Sequence, residues 1–481
     1  MGRAGAAAAG EIAGRHPDAL RRGVLVLAGP GNNGGDGWVV ARALAATGVD
    51  VRVVAPAGAQ SADCVAERET ALPFVADVPW KVDTAYTGEG VVVDALLGTG
   101  ATGAPRGEIA SGREILELAR RRGAVIVSLD VPSGLDATTG ETNGAVRADI
   151  TITFGTLKRG QLVGRGTCGT IVVVDIGLAA STAPSGLTLA DAQWVRANLP
   201  SIAADAHKGS RKKLLLQGGA PGMAGAVILG LRAALLSGIG MVKASVHASS
   251  VDAIHGAVPA TLIDAWRAVD DQTPDGWADV LVIGPGLGRG DETRRAIQSA
   301  ARRHTGPILL DADALTAFER DLDGLRALVG NRPALITPHV AELGRLTGDS
   351  PEAVLSRRFE IGAEVARKIG ATVLLKGVPT IVSSPDGTCM IVAAGTPTLA
   401  TGGSGDLLCG IAGTLLAQIG DPLIAGAVAA WIHGRAAELA GPRTRGTTLD
   451  DVLAVLPNAW SISAELQRYP VLLELPAVAR Q

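Results

Sequence analysis

The glycine-rich segment ATGGSGDLLCG, from Ala400 to Gly410, combines residue types that could carry out phosphoryl chemistry. Its glycines let the backbone approach a ligand closely, and the apolar run that follows predicts a helix whose first N–H groups favour an anion. Asp406 would repel a bound phosphate unless it had a chemical role. We therefore interpret the turn as a phosphate site and Asp406 as the base that deprotonates the group being phosphorylated. The alternative is a glycine-rich helix start that Asp406 merely caps.

A second glycine-rich segment, GPGNNGGDG, occupies Gly29 to Gly37 between a predicted strand and a predicted helix. Its glycines open the backbone to a pyrophosphate, and its two asparagines and one aspartate offer orienting groups. Two further aspartates end predicted strands, Asp94 before ALLGTGATGAPRG and Asp130 before VPSGLD. Because parallel strands end at one edge of a sheet, we expect Asn33, Asp94 and Asp130 to converge there with Ser133. Oxygen ligands of this kind suit a hard cation, although each aspartate could instead be a turn or cap residue.

Both halves of the chain alternate short β-branched runs with helix-like segments, which predicts mostly parallel sheets covered on both faces. A hairpin is expected over residues 379–392, with its turn at Pro385, Asp386 and Gly387. The predicted strands are Val24–Ala28, Val51–Ala55, Val91–Asp94, Ala124–Leu129, Ile150–Phe154, Ile171–Val174, Lys213–Gln217, Val242–Val246, Val280–Ile283, Ile308–Leu310, Ala334–Ile336 and Thr372–Leu375. The helices predicted beside the glycine-rich segments are Trp38–Thr47, Gly222–Ser237, Gly405–Ile419 and Leu423–Leu439.

A length of 481 residues, with 47% hydrophobic and 19% charged residues, indicates a globular protein of two or three domains. The pattern weakens in the turn-rich interval 179–204, which we interpret as a linker, and residues 461–481 carry no interpretable signal. A net charge of −3 gives no general attraction to nucleic acid or to an anionic membrane. An aromatic content of 3% also argues against an extended surface that binds single-stranded nucleic acid by base stacking.

The four cysteines, Cys64, Cys168, Cys389 and Cys409, form no CxxC pair, which argues against a zinc site or a disulfide framework. The N-terminal segment MGRAGAAAAGEIAGR lacks a signal-peptide core, and the longest apolar segments are too short to span a bilayer. We expect a cytoplasmic protein with neither nucleic-acid nor membrane partners.

The motifs GPGNNGGDG, VVVDALLGTG, SLDVPSGLDATTG and TFGTLKRG make residues 1–178 resemble the NAD(P)H-hydrate epimerases. The resemblance implies a Rossmann-like three-layer domain, with a K⁺ site at Asn33, Asp94 and Ser133 and Asp130 as the acid/base. Lys158 could assist Asp130 or could be a surface lysine. In that family a helix precedes the segment that matches MGRAGAAAAG, the segment at which this sequence starts. The implied positions that bind the hydrated nucleotide are Asn32, Asn33, Gly34, Gly35, Asp36, Gly98, Thr99, Gly100, Ala101, Thr102, Gly103, Ala104 and Asp130.

From His207 onward, HKGSRKKLLLQGGAPGMAGA, VLVIGPGLG, LLDADAL, LITPHVAEL, LLKG and ATGGSGDLLCGI occur in order. Residues 205–460 thereby resemble the ADP/ATP-dependent NAD(P)H-hydrate dehydratases, which implies a ribokinase-like α/β domain, Mg²⁺ and ADP as co-substrate. From spacing alone His339 is better explained as a helix cap or a core histidine. The positions implied to bind the hydrated nucleotide are Ala226, Gly288, His339 and Asp406, and those implied for the adenine nucleotide are Lys376, Gly377, Val378, Pro379, Thr380 and Gly405.

This second domain departs from the family pattern at two positions. Val340 stands where the family has the proline of PHPGE, and Thr316 stands where DADALN has its asparagine. Neither departure removes a proposed catalytic group, so they bear on positioning and affinity.

The resulting hypothesis is a bifunctional repair enzyme that epimerises hydrated NADH and NADPH, NAD(P)HX, and dehydrates the S form with conversion of ADP to AMP and phosphate. The resemblance also implies a homo-oligomer. One alternative is a ribokinase-like small-molecule kinase with an accessory nucleotide-binding domain, which would release a stable phosphorylated product. Another is a non-catalytic nucleotide-binding regulator, in which Asp130 and Asp406 would be dispensable.

Overall fold

The computed structural model describes residues 1–80, 85–178, 186–266, 276–441, 445–462 and 467–478. Within these ranges the chain forms two compact units, one of residues 1–178 with 467–478 and one of residues 186–462. The STAPSG stretch predicted to be turn-rich lies outside the described residues except for Gly186. No helix in the described part of the chain combines the length and apolarity needed to cross a bilayer.

The first unit is built on an eight-stranded sheet whose strands run in the order β18-β7-β6-β5-β4-β1-β2-β3. All neighbours pair in parallel except β18 and β7. Because β1 lies between β2 and β4, the strand order reverses there, which is where α/β sheets bind ligands. The strands are β1 Val24–Ala28, β2 Val51–Val54, β3 Ala76–Asp77, β4 Val91–Ala95, β5 Val125–Leu129, β6 Ile150–Phe154, β7 Thr170–Val174 and β18 Val471–Leu475.

Alternate residues of this sheet enter two separate cores, so the unit has three layers. Val24 and Val26 face one core with Trp38, whereas Leu25 and Leu27 face the other. The pattern is the one expected for strands buried on both faces, and it confirms the predicted α/β architecture. The helices of this unit are Gly2–Arg15, Pro17–Leu20, Asn32–Ala45, Ala62–Ala71, Gly107–Arg121, Arg159–Val163 and Arg165–Cys168.

The segment near the C-terminus, for which the sequence predicts no structure, forms the edge strand β18. It pairs antiparallel with β7, and its Val471 is buried in the core of the first unit. Glu474 accepts two hydrogen bonds from Arg15, at 2.7 and 3.2 Å, and Arg165 donates to the Pro476 carbonyl at 2.8 Å. The edge of the first sheet is therefore completed by residues that follow the second unit in sequence.

Deleting residues 467–481 is expected to destabilise the first unit by at least about 2 kcal/mol, because it exposes Val471's partners and leaves the β7 edge unpaired. Hydrogen–deuterium exchange should show faster exchange in peptides covering β6 and β7 and unchanged exchange in the second unit. The matched control Glu474→Gln removes only a partly exposed ion pair and should change stability by about 0–1 kcal/mol. Equal protection of β7 in the deleted and full-length chains would contradict the prediction.

The second unit contains a ten-stranded sheet in the order β11-β10-β9-β12-β13-β14-β15-β16-β17-β8. The pairs β15–β16 and β16–β17 are antiparallel, which confirms the predicted hairpin, and the other pairs are parallel. The strands are β8 Leu187–Leu189, β9 Lys213–Gly218, β10 Met241–His247, β11 Leu262–Trp266, β12 Val280–Ile283, β13 Ile308–Leu310, β14 Ala334–Ile336, β15 Thr372–Leu375, β16 Thr380–Ser383 and β17 Cys389–Val392.

Helices cover both faces of this sheet, again over two cores. Leu214 and Leu216 face the core that contains the two long helices Ser404–Ile419 and Pro422–Leu439, and Leu215 faces the other. The remaining helices are Ala192–Asn198, Ala224–Leu236, Val251–Ala257, Asp291–Arg303, Asp313–Thr316, Leu322–Val329, Val340–Thr347, Pro351–Ser356, Ile361–Ile369 and Leu449–Ala459, with one-turn 3₁₀ helices at Ala248–Ser250 and Pro397–Leu399.

Two expectations about local structure differ from the result. The interval 179–204, predicted as a linker, contains strand β8 and a helix within the second unit, because three residues at a sheet edge are too short to give a periodic signal. The segment NNGGD, predicted as a loop before a helix at Trp38, is instead the start of the helix Asn32–Ala45. Glycine is a poor helix former, so the helical pattern becomes visible only after Gly37.

Candidate active sites

The first candidate site lies where the strand order of the first sheet reverses. The helix that starts at Asn32 packs closely against the turn after β1, since a Cβ on Gly34 would lie 1.9 Å from the Gly29 carbonyl oxygen. The same helix packs against the N-terminal helix, where a Cβ on Gly5 would lie 2.4 Å from the Val39 Cβ. These glycines allow close helix packing that any side chain would prevent.

Asn33, Asp94 and Ser133 lie in one buried hydrogen-bonded cluster. The Asp94 carboxylate accepts hydrogen bonds from the Ser133 hydroxyl at 2.5 Å and the Ser133 N–H at 2.8 Å. Asn33 donates to the Leu97 carbonyl at 2.9 Å, and the Leu97 N–H donates to Ser133 Oγ at 2.9 Å. Burial raises the pKa of Asp94, and the hydrogen bonds from Ser133 oppose the shift. The predicted convergence of these three side chains is therefore present.

Asp130 follows β5 with a φ of 62°, in the left-handed region that aspartate and asparagine tolerate better than most residues. Its Oδ1 is 2.5 Å from Lys158 Nζ, and Lys158 also donates to Thr153 Oγ1 at 2.6 Å and to the Phe154 carbonyl at 3.1 Å. The side chain of Lys158 is only 15% exposed, so the surface-lysine alternative is wrong. Three acceptors engage its ammonium group, which leaves Lys158 well placed to orient Asp130.

The loop after β4 brings a glycine beside Asp130. The Thr99 N–H lies 3.4 Å from Asp130 Oδ2, and a Cβ on Gly98 would lie 3.5 Å from the same oxygen and 3.2 Å from the Asn33 Cβ. The rest of the loop, Gly100–Ala104, is largely exposed, as is Asn32. Asp36 is mostly buried in the same region, and burial, with a smaller contribution from Asp130, raises its pKa to about 7.

The second candidate site begins where the order of the second sheet reverses, between β9 and β12. The turns after these two strands are hydrogen bonded through Ala220 N–H and the Gly286 carbonyl at 2.7 Å. A Cβ on Gly286 would lie 3.4 Å from the Ala226 Cβ, and the Gly288 N–H donates to Asp313 Oδ2 at 2.9 Å. Ala226 thus packs against Gly286, and Gly288, the second residue predicted to bind the same ligand, lies two positions further along the chain.

His339 caps the helix Val340–Thr347, as its spacing suggested. Its Nδ1 accepts from Ala341 N–H at 3.1 Å and Glu342 N–H at 3.3 Å, while Glu342 Oε2 accepts from His339 N–H at 2.9 Å. Burial lowers the pKa of His339, which favours the neutral ring that this cap requires. The side chain is still 49% exposed, so capping does not prevent contact with a ligand.

Lys376, at the end of β15, lies beside the start of the helix Ser404–Ile419. Its Nζ is 2.9 Å from Asp311 Oδ1, 3.8 Å from Glu342 Oε2 and 3.2 Å from the position of a Cβ on Gly405. Burial would lower the pKa of Lys376, but the carboxylates of Asp311 and Glu342 raise it above its ordinary value. Lys376 and Gly405, both predicted to contact the adenine nucleotide, are therefore adjacent.

The residues between Lys376 and β16 form an exposed connection. Val378 is 65% exposed, its carbonyl accepts from Arg358 at 3.2 Å, and Thr380 Oγ1 donates to the Gly377 carbonyl at 3.1 Å. The Val378–Pro379 peptide bond is cis.

Asp406 lies in the first turn of the helix Ser404–Ile419, whose N-cap is Gly403 with a φ of 96°. No side chain caps this helix, so the interpretation of Asp406 as a cap is wrong. Burial, together with the nearby carboxylates of Asp311, Asp313 and Glu342, raises the pKa of Asp406 to about 7, and Lys376 opposes this shift. A carboxylate with this pKa at a helix N-terminus can accept a proton near neutral pH while the free N–H groups bind an anion.

If Asp406 acts as a base, dehydration should slow as the pH falls below about 7, because protonation removes the basic form. We expect kcat/KM to fall about tenfold per pH unit well below the pKa, as for a single essential base. Initial rates on the S hydrate between pH 5.5 and 8.5 would measure the effect, with spontaneous decay subtracted. A flat profile would contradict the prediction, because an aspartate with an ordinary pKa of about 4 would remain ionised over this whole pH range.

Val340 and Thr316, the two departures from the family pattern, both make local contacts. Val340 starts its helix and packs against the apolar core, and Thr316 Oγ1 donates to the Ala312 carbonyl at 3.3 Å within its own turn.

Asp311 and Cys409 are functional candidates that the motifs did not single out. Asp311 is buried at the end of β13 and contacts Lys376, and the Cys409 thiol lies 3.1 Å from Asp311 Oδ2. Asp311 carries the same signal as Asp94 and Asp130, since it is a carboxylate that follows a buried strand. No sequence pattern identifies Cys409 as its neighbour.

Each unit thus holds a buried aspartate among glycine-rich turns at the carboxyl edge of a largely parallel sheet, which defines an α/β enzyme with two sites. The fold of the second unit is ribokinase-like, since a ribokinase-like superfamily protein from Enterococcus faecalis V583 superposes with a TM-score of 0.50 at 23% identity, over 60% of this chain and 100% of that chain.

Comparison with known families identifies both halves. Residues 214–458 match the NAD(P)H-hydrate dehydratase family, and residues 1–160 match the family described as YjeF-related protein N-terminus. The bifunctional NAD(P)H-hydrate repair enzyme Nnr of Moorella thermoacetica is 35% identical over 472 residues, 91% of this chain and 87% of that protein. The Escherichia coli K12 protein of the same name is 35% identical over 481 residues, which cover 95% of this chain and 88% of that protein. The chain belongs to the family of bifunctional NAD(P)H-hydrate repair enzymes.

A solved structure also resembles the second unit. The ADP/ATP-dependent NAD(P)H-hydrate dehydratase of Bacillus subtilis, co-crystallised with ATP and Mg²⁺, superposes with a TM-score of 0.51 at 28% identity and covers 57% of this chain and 98% of that chain.

Proposed function

We propose that the first unit interconverts the R and S forms of hydrated NADH and NADPH and that the second dehydrates the S form with conversion of ADP to AMP and phosphate. The observation that carries the proposal is the position of Asp406. It is a mostly buried carboxylate with a pKa of about 7, in the first turn of an uncapped helix that begins next to Lys376. Family membership supports the pairing of this site with an epimerase on one chain.

Phosphorylation solves the chemical problem of dehydration, since hydroxide is a poor leaving group. Asp406 would accept the proton of the ring hydroxyl while the hydroxyl oxygen attacks the terminal phosphorus of ADP. The bond between that phosphorus and the oxygen retained by AMP would break. The phosphate would then leave with the former hydroxyl oxygen, and loss of a ring proton would restore the dihydropyridine. The N–H groups of the helix start and the Lys376 ammonium would stabilise the charge of the transferred group.

Mg²⁺ fits this site as an ion bound mainly through the nucleotide. Within the described ranges no group of three or more His, Cys, Asp or Glu side chains is placed to hold a metal ion. Mg²⁺ commonly binds through substrate phosphates and water and needs no such cage. When bound, it would supply charge neutralisation for the phosphates of the donor.

A K⁺ ion fits the cluster of Asn33, Asp94 and Ser133 in the first unit. Asn33 Oδ1 is buried without a hydrogen-bond partner, and across the described segments no basic side chain pairs with the buried Asp94 carboxylate. A hard cation is the group that these oxygens would accept. Bound there, it would anchor the ends of the turns that carry Asn33 and Ser133.

Asp130 would exchange a proton with the hydrated nicotinamide during epimerisation. Its Oδ1 is held by Lys158, and its Oδ2 faces the loop where Gly98 has no side chain. Substrate contacts by Asn32 to Asp36 and by Gly98 to Ala104 belong to the same proposal, which is supported by the proximity of Gly98 and Thr99 to Asp130 and of Gly98 to Asn33.

The proposal is tested with purified protein and a mixture of R and S NADH hydrate, incubated with ADP, with ATP or with neither. Recovery of the near-ultraviolet absorbance of NADH should be complete and should require a nucleotide. Recovery that stops at the S fraction would refute the epimerase assignment, and release of a stable phosphorylated product would favour the small-molecule kinase. A cytoplasmic location, a homo-oligomer and the choice of ADP over ATP remain predictions.

A further inference from the structure

Asp311 is the most deeply buried carboxylate near Asp406, with an exposed side-chain fraction of 2%. It follows β13, and both of its oxygens have partners. Lys376 Nζ lies 2.9 Å from Oδ1, and the Cys409 thiol lies 3.1 Å from Oδ2. Burial raises the pKa of Cys409 well above its ordinary value, so this group is a neutral thiol that donates to the carboxylate. A buried charge with a cationic partner and a second donor is a paired, satisfied group.

The two partners of Asp311 connect it to the helix that carries Asp406. Gly405 and Cys409 are four residues apart in this helix, so they share the face directed at Asp311. A Cβ on Gly405 would lie 3.6 Å from Asp311 Oδ2 and 3.2 Å from Lys376 Nζ. The ion pair therefore occupies the space that a side chain at position 405 would need.

Lys376 is held in an unfavourable electrostatic position for a lone cation. The N-terminus of a helix carries a partial positive charge, which repels an ammonium group in its first turn. The Asp311 carboxylate compensates for this repulsion at 2.9 Å, whereas Glu342 Oε2 is 3.8 Å away and also accepts the His339 N–H. Among the described partners of Lys376, Asp311 makes the shorter contact.

We propose that Asp311 is a positioning residue that fixes the Lys376 ammonium under the glycine-rich turn for the phosphates of ADP. This inference rests on the proposed dehydratase reaction. The charged groups that act on Asp406 are Asp311, Asp313 and Glu342, which strengthen it as a base, and Lys376, which weakens it. Among these charges, Asp311 has the largest effect on the pKa of Asp406. Replacing Asp311 with a neutral residue should therefore change that pKa measurably.

Asp311→Asn should raise the KM for ADP about tenfold, because Lys376 loses the charge-assisted bond that holds it. It should also move the acidic limb of the kcat/KM profile for the S hydrate down by about one pH unit, because a negative charge near Asp406 is removed. A variant with the wild-type KM and pH profile would overturn the proposal. If Asp311 had only a structural role, Asp311→Asn would lower the yield of folded protein and leave the acidic limb of the kcat/KM profile unchanged.

A double-mutant comparison shows whether Asp311 acts through Lys376. In the Lys376→Met background, adding Asp311→Asn should change the KM for ADP by less than about twofold, since the partner is already gone. The double variant removes both members of the buried pair, so it also serves if Asp311→Asn alone does not fold. A further tenfold rise in KM in the double variant would overturn the proposal.

The wild-type and Asp311→Asn proteins together distinguish a failure of the proposed function from a failure of the positioning role. If the wild-type protein does not dehydrate the S hydrate with ADP, the proposed function fails. If it does and Asp311→Asn behaves as the wild type, only the positioning role fails.

Discussion

Replacing Asp406 with asparagine is expected to slow nucleotide-dependent dehydration by about 10²–10⁴-fold, the usual contribution of a general base. Asparagine matches aspartate in size but cannot accept the hydroxyl proton, and its neighbours Asp311 and Lys376 would remain in place. The measurement is the initial rate of NADH recovery from the S hydrate at saturating ADP. Epimerisation by the first unit should be unchanged in the same preparation, which shows that the effect is confined to the second unit.

Asp421→Asn provides the matched control for this variant. Asp421 caps the neighbouring helix by accepting from Leu423 N–H at 2.8 Å and from Ile424 N–H at 3.2 Å, and asparagine caps equally well. The control removes one carboxylate from the same unit and should keep the wild-type rate. Substantial dehydration by Asp406→Asn would instead show that a different group acts as the base.

Asp130→Asn is expected to reduce epimerisation by about 10²–10⁴-fold and to leave dehydration of the pure S form unchanged. Asparagine tolerates the φ of 62° at this position, so the backbone should be retained. The loss would follow from removing the group that exchanges the proton, which Lys158 holds at 2.5 Å in the unmodified protein. Chromatographic separation of the R and S hydrates over time gives the rate, after subtraction of spontaneous epimerisation.

Asp136→Asn is the control in the same segment. Asp136 Oδ1 accepts from the Thr138 and Thr139 N–H groups, both at 2.8 Å, in an exposed turn. This variant should epimerise like the wild type. If Asp130→Asn kept the wild-type rate, another group would have to supply the proton. Asp36 is then the first candidate, because its pKa of about 7 suits proton exchange near neutral pH.

The sequence by itself determined the α/β architecture and most of the strands. Strands β1, β6, β12, β13, β14 and β15 have the bounds that their β-branched runs predict, because strands buried on both faces need continuous apolar residues. The convergence of Asn33, Asp94 and Ser133 was also predictable, because parallel strands carry their carboxyl ends to one edge. The resemblance of the motifs to two known families correctly indicated the family.

Only the tertiary structure decided three features. NNGGD became a helix start because the close contact of Gly34 with Gly29 outweighs the poor helix propensity of glycine. Residues 471–475 became a strand because the edge of β7 was available to a short segment that carries no signal of its own. The contact of Asp311 with Lys376 and Cys409 joins residues 65 and 98 positions apart. Contacts over such separations depend on how strands and helices pack, and local sequence patterns do not record them.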